Sequence, residues 1–115
     1  MDQSLRAEIN RLHAQVCAGL ADPTRIMMLY TLAEKPRHVN ELADILELSQ
    51  PTTSRHLKVL RDRHLVTASR EGRSVVYSLT DERVIRALDL LREVMAEILK
   101  VQSRLAETAS SELPT

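Results

Sequence analysis

The chain has 115 residues, of which 43% are hydrophobic and 28% are charged, and its 16 Lys and Arg are balanced by 16 Asp and Glu. This length fits one domain, and the apolar share is enough for an ordinary core. The single cysteine excludes an intramolecular disulfide, and no apolar run matches a membrane span or a signal peptide, so we expect a cytoplasmic protein in a reducing setting.

Two amphipathic helices are predicted at the start of the chain. The first covers residues 2–20, and its narrow apolar stripe recurs at steps of four and three through Leu5, Ile9, Leu12 and Val16. Gly19 is expected to stop this helix, and Asp22 and Pro23 predict a new start, with Asp22 as the N-cap. The second helix is then expected to run from Pro23 to about Glu34, because Pro36 ends it.

Residues 40–62 contain two helical patterns separated by a tight turn, which predicts a helix-turn-helix. Asn40 is expected to cap the first helix and Ser49 the second. Leu57 and Leu60 form the inner stripe of the second helix. The other side is expected to carry hydroxyls and cations, namely Thr52, Thr53, Ser54, Arg55, His56 and Lys58. Small polar side chains let a helix approach the DNA major groove, and basic side chains reach bases and phosphates. The alternative is an ordinary capped surface helix.

A β-hairpin is predicted over residues 65–79. Two β-prone runs flank a short turn in which Gly72 supplies a positive φ, and His64 is expected to end the preceding helix in the left-handed conformation. Between Arg55 and Arg73 the chain carries six basic residues against two acidic ones. The formal net charge is zero, but the distribution predicts one basic face suited to a phosphate backbone.

A long final helix is predicted over residues 81–107. Its main apolar track has a heptad-like spacing broken only by Gln102 and comprises Val84, Leu88, Leu91, Met95, Ile98 and Leu105. A second track, through Leu90, Val94 and Val101, makes the apolar face wider than a small monomer would cover. We therefore predict that residues 1–21 and 81–107 pair with a second copy in a two-fold homodimer, the alternative being packing on their own core. Residues 108–115 are predicted to be a disordered tail.

Four segments of the sequence resemble the ArsR/SmtB family of bacterial transcriptional repressors. They are LADPTRI at 20–26, LA at 42–43, LSQPTTSRHLKVL at 48–60 and REGRSVVY at 70–77. The resemblance covers roughly residues 16–99. It implies a mainly α (α+β) winged helix-turn-helix domain over residues 1–107, with N- and C-terminal dimerisation helices. It also implies a homodimer that binds double-stranded operator DNA and is released by an inducer.

The resemblance carries a DNA-binding surface over to ten residues. They are Ser49, Gln50, Thr52, Thr53, Ser54, Arg55, His56 and Lys58 on the second helix of the helix-turn-helix, and Arg70 and Arg73 on the hairpin, or wing. Their chemistry agrees with this role, since the four cations neutralise phosphates. We expect the other polar side chains to discriminate bases, in particular Gln50, Thr53, Ser54 and His56.

The sequence contains no convincing site for an inducer. Compared with metal sensors of the family, residues 39–48 have no Cys and residues 81–105 have no His, and a single Cys cannot form an intrasubunit redox pair. The remaining candidates are His13 and Cys17, four apart on one helix face, which across a dimer axis would make a soft-metal site or an oxidised Cys17 pair. The alternative is a surface histidine and a small apolar cysteine. No cofactor is expected.

An enzyme is not expected, because no Gly-rich phosphate loop, paired catalytic carboxylates or Ser-His-Asp arrangement stands out. We predict a dimeric DNA-binding repressor of the cytoplasm with no membrane partner. The alternatives are a winged-helix module for protein interaction that has lost operator binding, and a repressor that responds to no ligand.

Overall fold

The computed structural model describes residues 1–112, which fall into two units, residues 1–82 and the chain from Arg83 onward. The first unit is mainly helical with a small antiparallel sheet, and the second is one long helix. The elements are α1 (Gln3–Leu12), a π-helical turn (His13–Cys17), α2 (Ala18–Leu20), α3 (Pro23–Glu34), β1 (Arg37–His38), α4 (Val39–Leu46), α5 (Gln50–Asp62), β2 (Val66–Glu71), β3 (Ser74–Leu79) and α6 (Arg83–Glu112).

The sheet of the first unit has the order β1-β3-β2. The predicted hairpin forms β2 and β3, in a register that runs from Val66 opposite Leu79 to Glu71 opposite Ser74. β1 has only two residues and pairs Arg37 with Tyr77. It was not predicted, because two residues are too few to show a strand pattern in the sequence. It ties the start of the helix-turn-helix to the hairpin.

The core of the first unit is built from aliphatic residues of α3, α4, α5 and the start of β2. The buried ones are Met28, Leu29, Leu32, Leu42, Ala43, Leu57, Leu60, Leu65 and Val66. Leu57 and Leu60 are both 0% exposed, as expected for the inner stripe of α5. Burial of that stripe presents the opposite face of α5 to solvent.

The first helix is interrupted by the π-helical turn, which the apolar stripe did not predict. In this turn the Ala18 N–H donates to His13 O, five residues back, so the carbonyls between them lose the regular α-helical pattern. The Arg63 guanidinium, at the end of α5, donates to Ala14 O and, at 3.4 Å, to Gln15 O. The turn is therefore held by the helix-turn-helix.

The first helical segment ends at Leu20, as the sequence predicts, but Gly19 itself is not the stop. It lies buried inside α2, and the chain leaves the helix only at Ala21, where ψ is 42°. A Cβ at Gly19 would lie 2.8 Å from Leu65 Cδ1 and 3.0 Å from Arg63 Cδ. The glycine therefore allows α2 to pack closely on these two side chains.

Two of the three predicted helix caps are confirmed. The Asp22 carboxylate accepts from Thr24 N at 2.8 Å and from Arg25 N at 3.2 Å, and the Ser49 hydroxyl accepts from Thr52 N at 3.2 Å. The Asn40 cap was wrong: α4 begins at Val39 and its N-cap is His38.

The N-terminus of α4 is closed by the Glu41 side chain. Glu41 Oε1 accepts from His38 N at 3.1 Å. This backbone hydrogen bond is the main cause that holds the pKa of Glu41 below its ordinary value. Because β1 keeps His38 extended, the helix begins earlier than Asn40.

Among residues 1–112, three take positive φ angles. His64 (φ 61°) and Gly72 (φ 61°) do so as predicted, ending α5 and turning the hairpin. Glu47 (φ 56°) was not predicted; it ends α4, and its N–H donates toward Ala43 O and Asp44 O. Glu, unlike Gly, Asn, Asp or His, is not enriched in this conformation, so its residue type gives no sequence signal for it.

The second unit, α6, has 30 residues and extends roughly 45 Å at 1.5 Å per residue. It continues through Thr108 to Glu112, so residues 108–112 are helical where a disordered tail was predicted. Ala106, Glu107 and Ala109 favour a helix, and neither Gly nor Pro interrupts them. The last three residues of that predicted tail, 113–115, lie outside the described residues. Within residues 1–112, no helix has the length and apolarity needed to cross a bilayer.

Candidate nucleic-acid interface

The start of α5 is an exposed row of hydroxyls linked to one cation. The Ser49 hydroxyl donates to Thr52 Oγ1 at 2.9 Å, and Arg55 Nη2 donates to the same oxygen at 3.2 Å. Gln50 and Ser54 are also exposed. This end of the helix therefore presents small polar groups and an Arg side chain that Thr52 orients.

Thr53 does not belong to this surface, which corrects the sequence prediction. Its side chain is 0% exposed, and its hydroxyl donates to Ser49 O at 2.9 Å. The reason is helical periodicity: Thr53 precedes Leu57 by four residues and Leu60 by seven, so all three share the inner stripe. Its hydroxyl cannot reach a base.

Replacing Thr53 with Val is expected to leave DNA binding and base preference unchanged. Val retains the buried shape and removes one internal hydrogen bond, so the stability should change by about 1 kcal/mol or less. Binding to a panel of duplexes, measured beside Gln50→Ala, checks this. An altered base preference in Thr53→Val would contradict this and show that Thr53 takes part in base recognition.

His56 is held against α3 and lies only partly at the surface. Its Nδ1 lies 3.4 Å from Arg25 Nη1, and because Arg25 is always charged, Nδ1 is the acceptor. Arg25 also donates through Nε to Gly19 O at 2.7 Å and through Nη2 to Ala18 O at 3.2 Å. His56 therefore connects α5 to the end of the first helix, and we remove it from the base-reading set.

The wing supplies two exposed cations, Arg70 near the end of β2 and Arg73 in the turn. On α5, Lys58 Nζ pairs with Asp62 at 2.9 Å, and this hydrogen bond is the main cause that lowers the pKa of Asp62. Because both side chains are exposed, the pair contributes little to stability, and a phosphate competes readily for Lys58.

A concave pocket of about 320 Å³ lies where α4, α5 and the wing meet. It is lined by His38, Val39, Asn40, Ser54, Arg73, Ser74, Val75 and Tyr77. Only Ser54 and Arg73 of these belonged to the predicted surface. The other residues were missed because they come from two separate stretches of the sequence, and none of them is a Lys or Arg that would mark a phosphate contact.

The candidate sensing residues, His13 and Cys17, are both exposed and lie in the π-helical turn. Within the described part of the chain, no group of three or more His, Cys, Asp or Glu side chains is arranged to hold a metal ion. A site shared between two copies of the chain stays a prediction.

Comparison with known proteins identifies the family. Residues 22–68 match the family described as bacterial regulatory protein, arsR family. The HTH-type transcriptional regulator CmtR of Mycobacterium tuberculosis is 39% identical over 98 residues, which cover 85% of this chain and 83% of that protein. The chain belongs to the arsR family. The family and the winged-helix fold predicted from the sequence are thus confirmed.

Further relatives and solved structures agree with this family and fold. The regulator NmtR of M. tuberculosis is 42% identical over 76 residues, which cover 66% of this chain but only 63% of NmtR. Among solved structures, M. tuberculosis Rv0081 has a TM-score of 0.73 and 32% identity, covering 83% of this chain and 96% of that one. A homodimeric winged helix-turn-helix DNA-binding domain of Mycobacterium bovis has a TM-score of 0.73 and 30% identity, covering 87% and 92%.

Proposed function

We propose that this arsR-family protein is a cytoplasmic, DNA-binding transcriptional repressor that an inducer releases from its operator. The observation that carries the proposal is the division of α5 into two faces. Thr53, Leu57 and Leu60 are fully buried, whereas the hydroxyl- and cation-bearing start of the helix is exposed beside a basic wing. Such a helix start is suited to the major groove, with the wing on the adjacent backbone.

The exposed side chains divide by chemistry. Arg55, Arg70 and Arg73 are suited to phosphates, which give affinity without sequence information. Gln50, in the first turn of α5, offers an amide that pairs with base edges. Base preference is therefore expected to depend on Gln50 more than on the cations.

The functional form is proposed to be a homodimer that uses the first helix and α6. Two copies related by a two-fold axis place two α5 helices on successive turns of one duplex face. The solved M. bovis relative is described as homodimeric, which supports this arrangement.

Replacing Arg73 with Ala is expected to weaken binding to all duplexes alike and to flatten its salt dependence. Each lost phosphate contact reduces the slope of log affinity against log salt by about 0.9, so a dimer should lose roughly 2. Salt titrations with several duplexes, including the DNA upstream of the protein's own gene, test this.

Lys100→Ala is the matched control for Arg73→Ala, because it removes an exposed cation from α6. It should change neither affinity nor slope. An Arg73→Ala protein with the wild-type slope would contradict the wing contact, and wild-type protein that ignores every duplex in dilute salt would contradict the proposed function.

A further inference from the structure

We propose that the pocket between α4, α5 and the wing clamps one backbone phosphate of the bound DNA through Asn40, Ser54 and Arg73. This inference rests on the proposed function and deepens it. It adds Asn40 to the interface and assigns Ser54 to the backbone instead of the bases.

Three separate elements bring these side chains to one pocket. Asn40 is the second residue of α4, Ser54 lies on the exposed face of α5, and Arg73 follows Gly72 at the turn of the wing. All three are exposed, and all three line the same space of about 320 Å³. That space has room for a phosphodiester group with bridging waters.

The pocket is chemically suited to an anion. The Asn40 amide, the Ser54 hydroxyl and the Arg73 guanidinium all donate hydrogen bonds, and Arg73 adds a permanent positive charge. Among the described residues, none that lines the pocket is acidic. The Glu41 carboxylate in the same turn of α4 is held at His38 N, 3.1 Å away.

Backbone groups add to the attraction. The first turn of α4 begins at Val39, which lines the pocket, so the positive end of that helix dipole lies beside it. The opposite wall is fixed to α4, because His38 Nδ1 lies 3.3 Å from Val75 O, a carbonyl that can only accept. The pocket is thus built before DNA arrives.

A phosphate in this pocket would determine how far α5 enters the groove, since one strand would lie between α4 and the wing. Loss of this contact should therefore weaken binding to every DNA sequence alike. The contact should also depend on one phosphate at a fixed position of the DNA backbone. This position effect separates the clamp from a diffuse basic surface.

The experiment scans a duplex, selected by the protein from a random pool, with single methylphosphonate substitutions that neutralise one phosphate at a time. Asn40→Ala is expected to bind the unmodified duplex about 10-fold more weakly than wild type for each half-site, the effect of losing a hydrogen bond to a charged group. At one phosphate in each half-site, neutralisation should weaken Asn40→Ala less than wild type, because the Asn40 hydrogen bond is already lost while the Arg73 contact remains, as in a double-mutant cycle.

Asn40→Asp should weaken binding about 100-fold for each half-site, because it places a carboxylate against the phosphate. Aspartate in a first helical turn favours the helix, so this loss is not a folding defect, and thermal melting verifies that. Ala33→Asp adds the same negative charge at an exposed residue of α3, outside the proposed dimer helices, and should bind within twofold of wild type.

Two results would overturn the clamp while leaving the proposed function intact. One is Asn40→Ala binding within twofold of wild type. The other is a ratio of wild-type to Asn40→Ala affinity that is the same whichever phosphate is neutralised. If wild type selects no duplex from the pool, the proposed function and the clamp fail together.

Discussion

An Ile98→Asp protein is expected to be monomeric and to bind its operator about 10²- to 10⁴-fold more weakly than wild type. Dimerisation makes binding of the second half-site intramolecular, and this factor is the usual gain from such linkage. Each monomer would keep its own α5 and wing. Residual non-specific binding should therefore survive.

The expectation rests on the apolar surface of α6. Eight of its apolar side chains are between 43% and 65% exposed in the single chain, namely Leu90, Leu91, Val94, Met95, Ile98, Leu99, Val101 and Leu105. Ile98 stands one heptad from Leu91 and from Leu105, in the centre of this face. An apolar pocket of about 350 Å³ adjoins it, lined by Val94, Glu97, Ile98, Val101 and Gln102. A carboxylate at Ile98 would have to be desolvated in any interface formed there.

Sedimentation equilibrium at micromolar concentration measures the oligomeric state, and fluorescence anisotropy with the selected duplex measures affinity. The matched control is Ser103→Asp, which adds the same charge on the opposite side of the heptad from Ile98. It should remain dimeric with wild-type affinity. An Ile98→Asp protein that stays dimeric would show that another surface holds the two copies together.

Where one residue's own chemistry fixes the backbone, the sequence was enough to predict the fold. Asp22 and Ser49 accept hydrogen bonds from the first turns that follow them, and Gly72 and His64 take the positive φ angles that end local structure. These signals depend on neighbours only a few residues away. They placed the helix-turn-helix and the hairpin.

Features that depend on distant partners were missed. The π-helical turn is held by Arg63, nearly fifty residues away, and β1 exists only because Arg37 pairs with Tyr77. Glu47 takes a left-handed conformation with no residue type to mark it. The Asn40 cap failed for the same reason, since β1 already fixes His38 as the N-cap.

The candidate interface shows the same division, in that its local features were predicted and those that depend on distant contacts were missed. The exposed start of α5 followed from its composition, yet Thr53 was misplaced because its hydroxyl was given more weight than its spacing to Leu57. The position of His56 could not be predicted, because it depends on a contact with Arg25, 31 residues away in the sequence. Asn40 could be assigned to the interface only from the fold, which brings α4, α5 and the wing together.

Leu57→Ala is expected to lower the free energy of unfolding by about 2 to 5 kcal/mol, the range for deleting a fully buried leucine. Leu57 is 0% exposed, and with Thr53 and Leu60 it forms the stripe that anchors α5. Small domains are stable by about 5–15 kcal/mol, so this loss is a large fraction of the total. The melting temperature should fall by roughly 10 °C or more, at about 4–8 °C per kcal/mol.

Urea denaturation at one fixed subunit concentration is the appropriate measurement, because the stability of an oligomer depends on concentration. Val59→Ala, on the same helix but only half-buried, is the control and should lose about 1 kcal/mol. At low temperature, where Leu57→Ala stays folded, its DNA affinity should equal that of wild type, because the exposed face of α5 is unchanged. If Leu57→Ala unfolds at the same urea concentration as Val59→Ala, the inner stripe does not anchor α5, and the presentation of its outer face to DNA needs another cause.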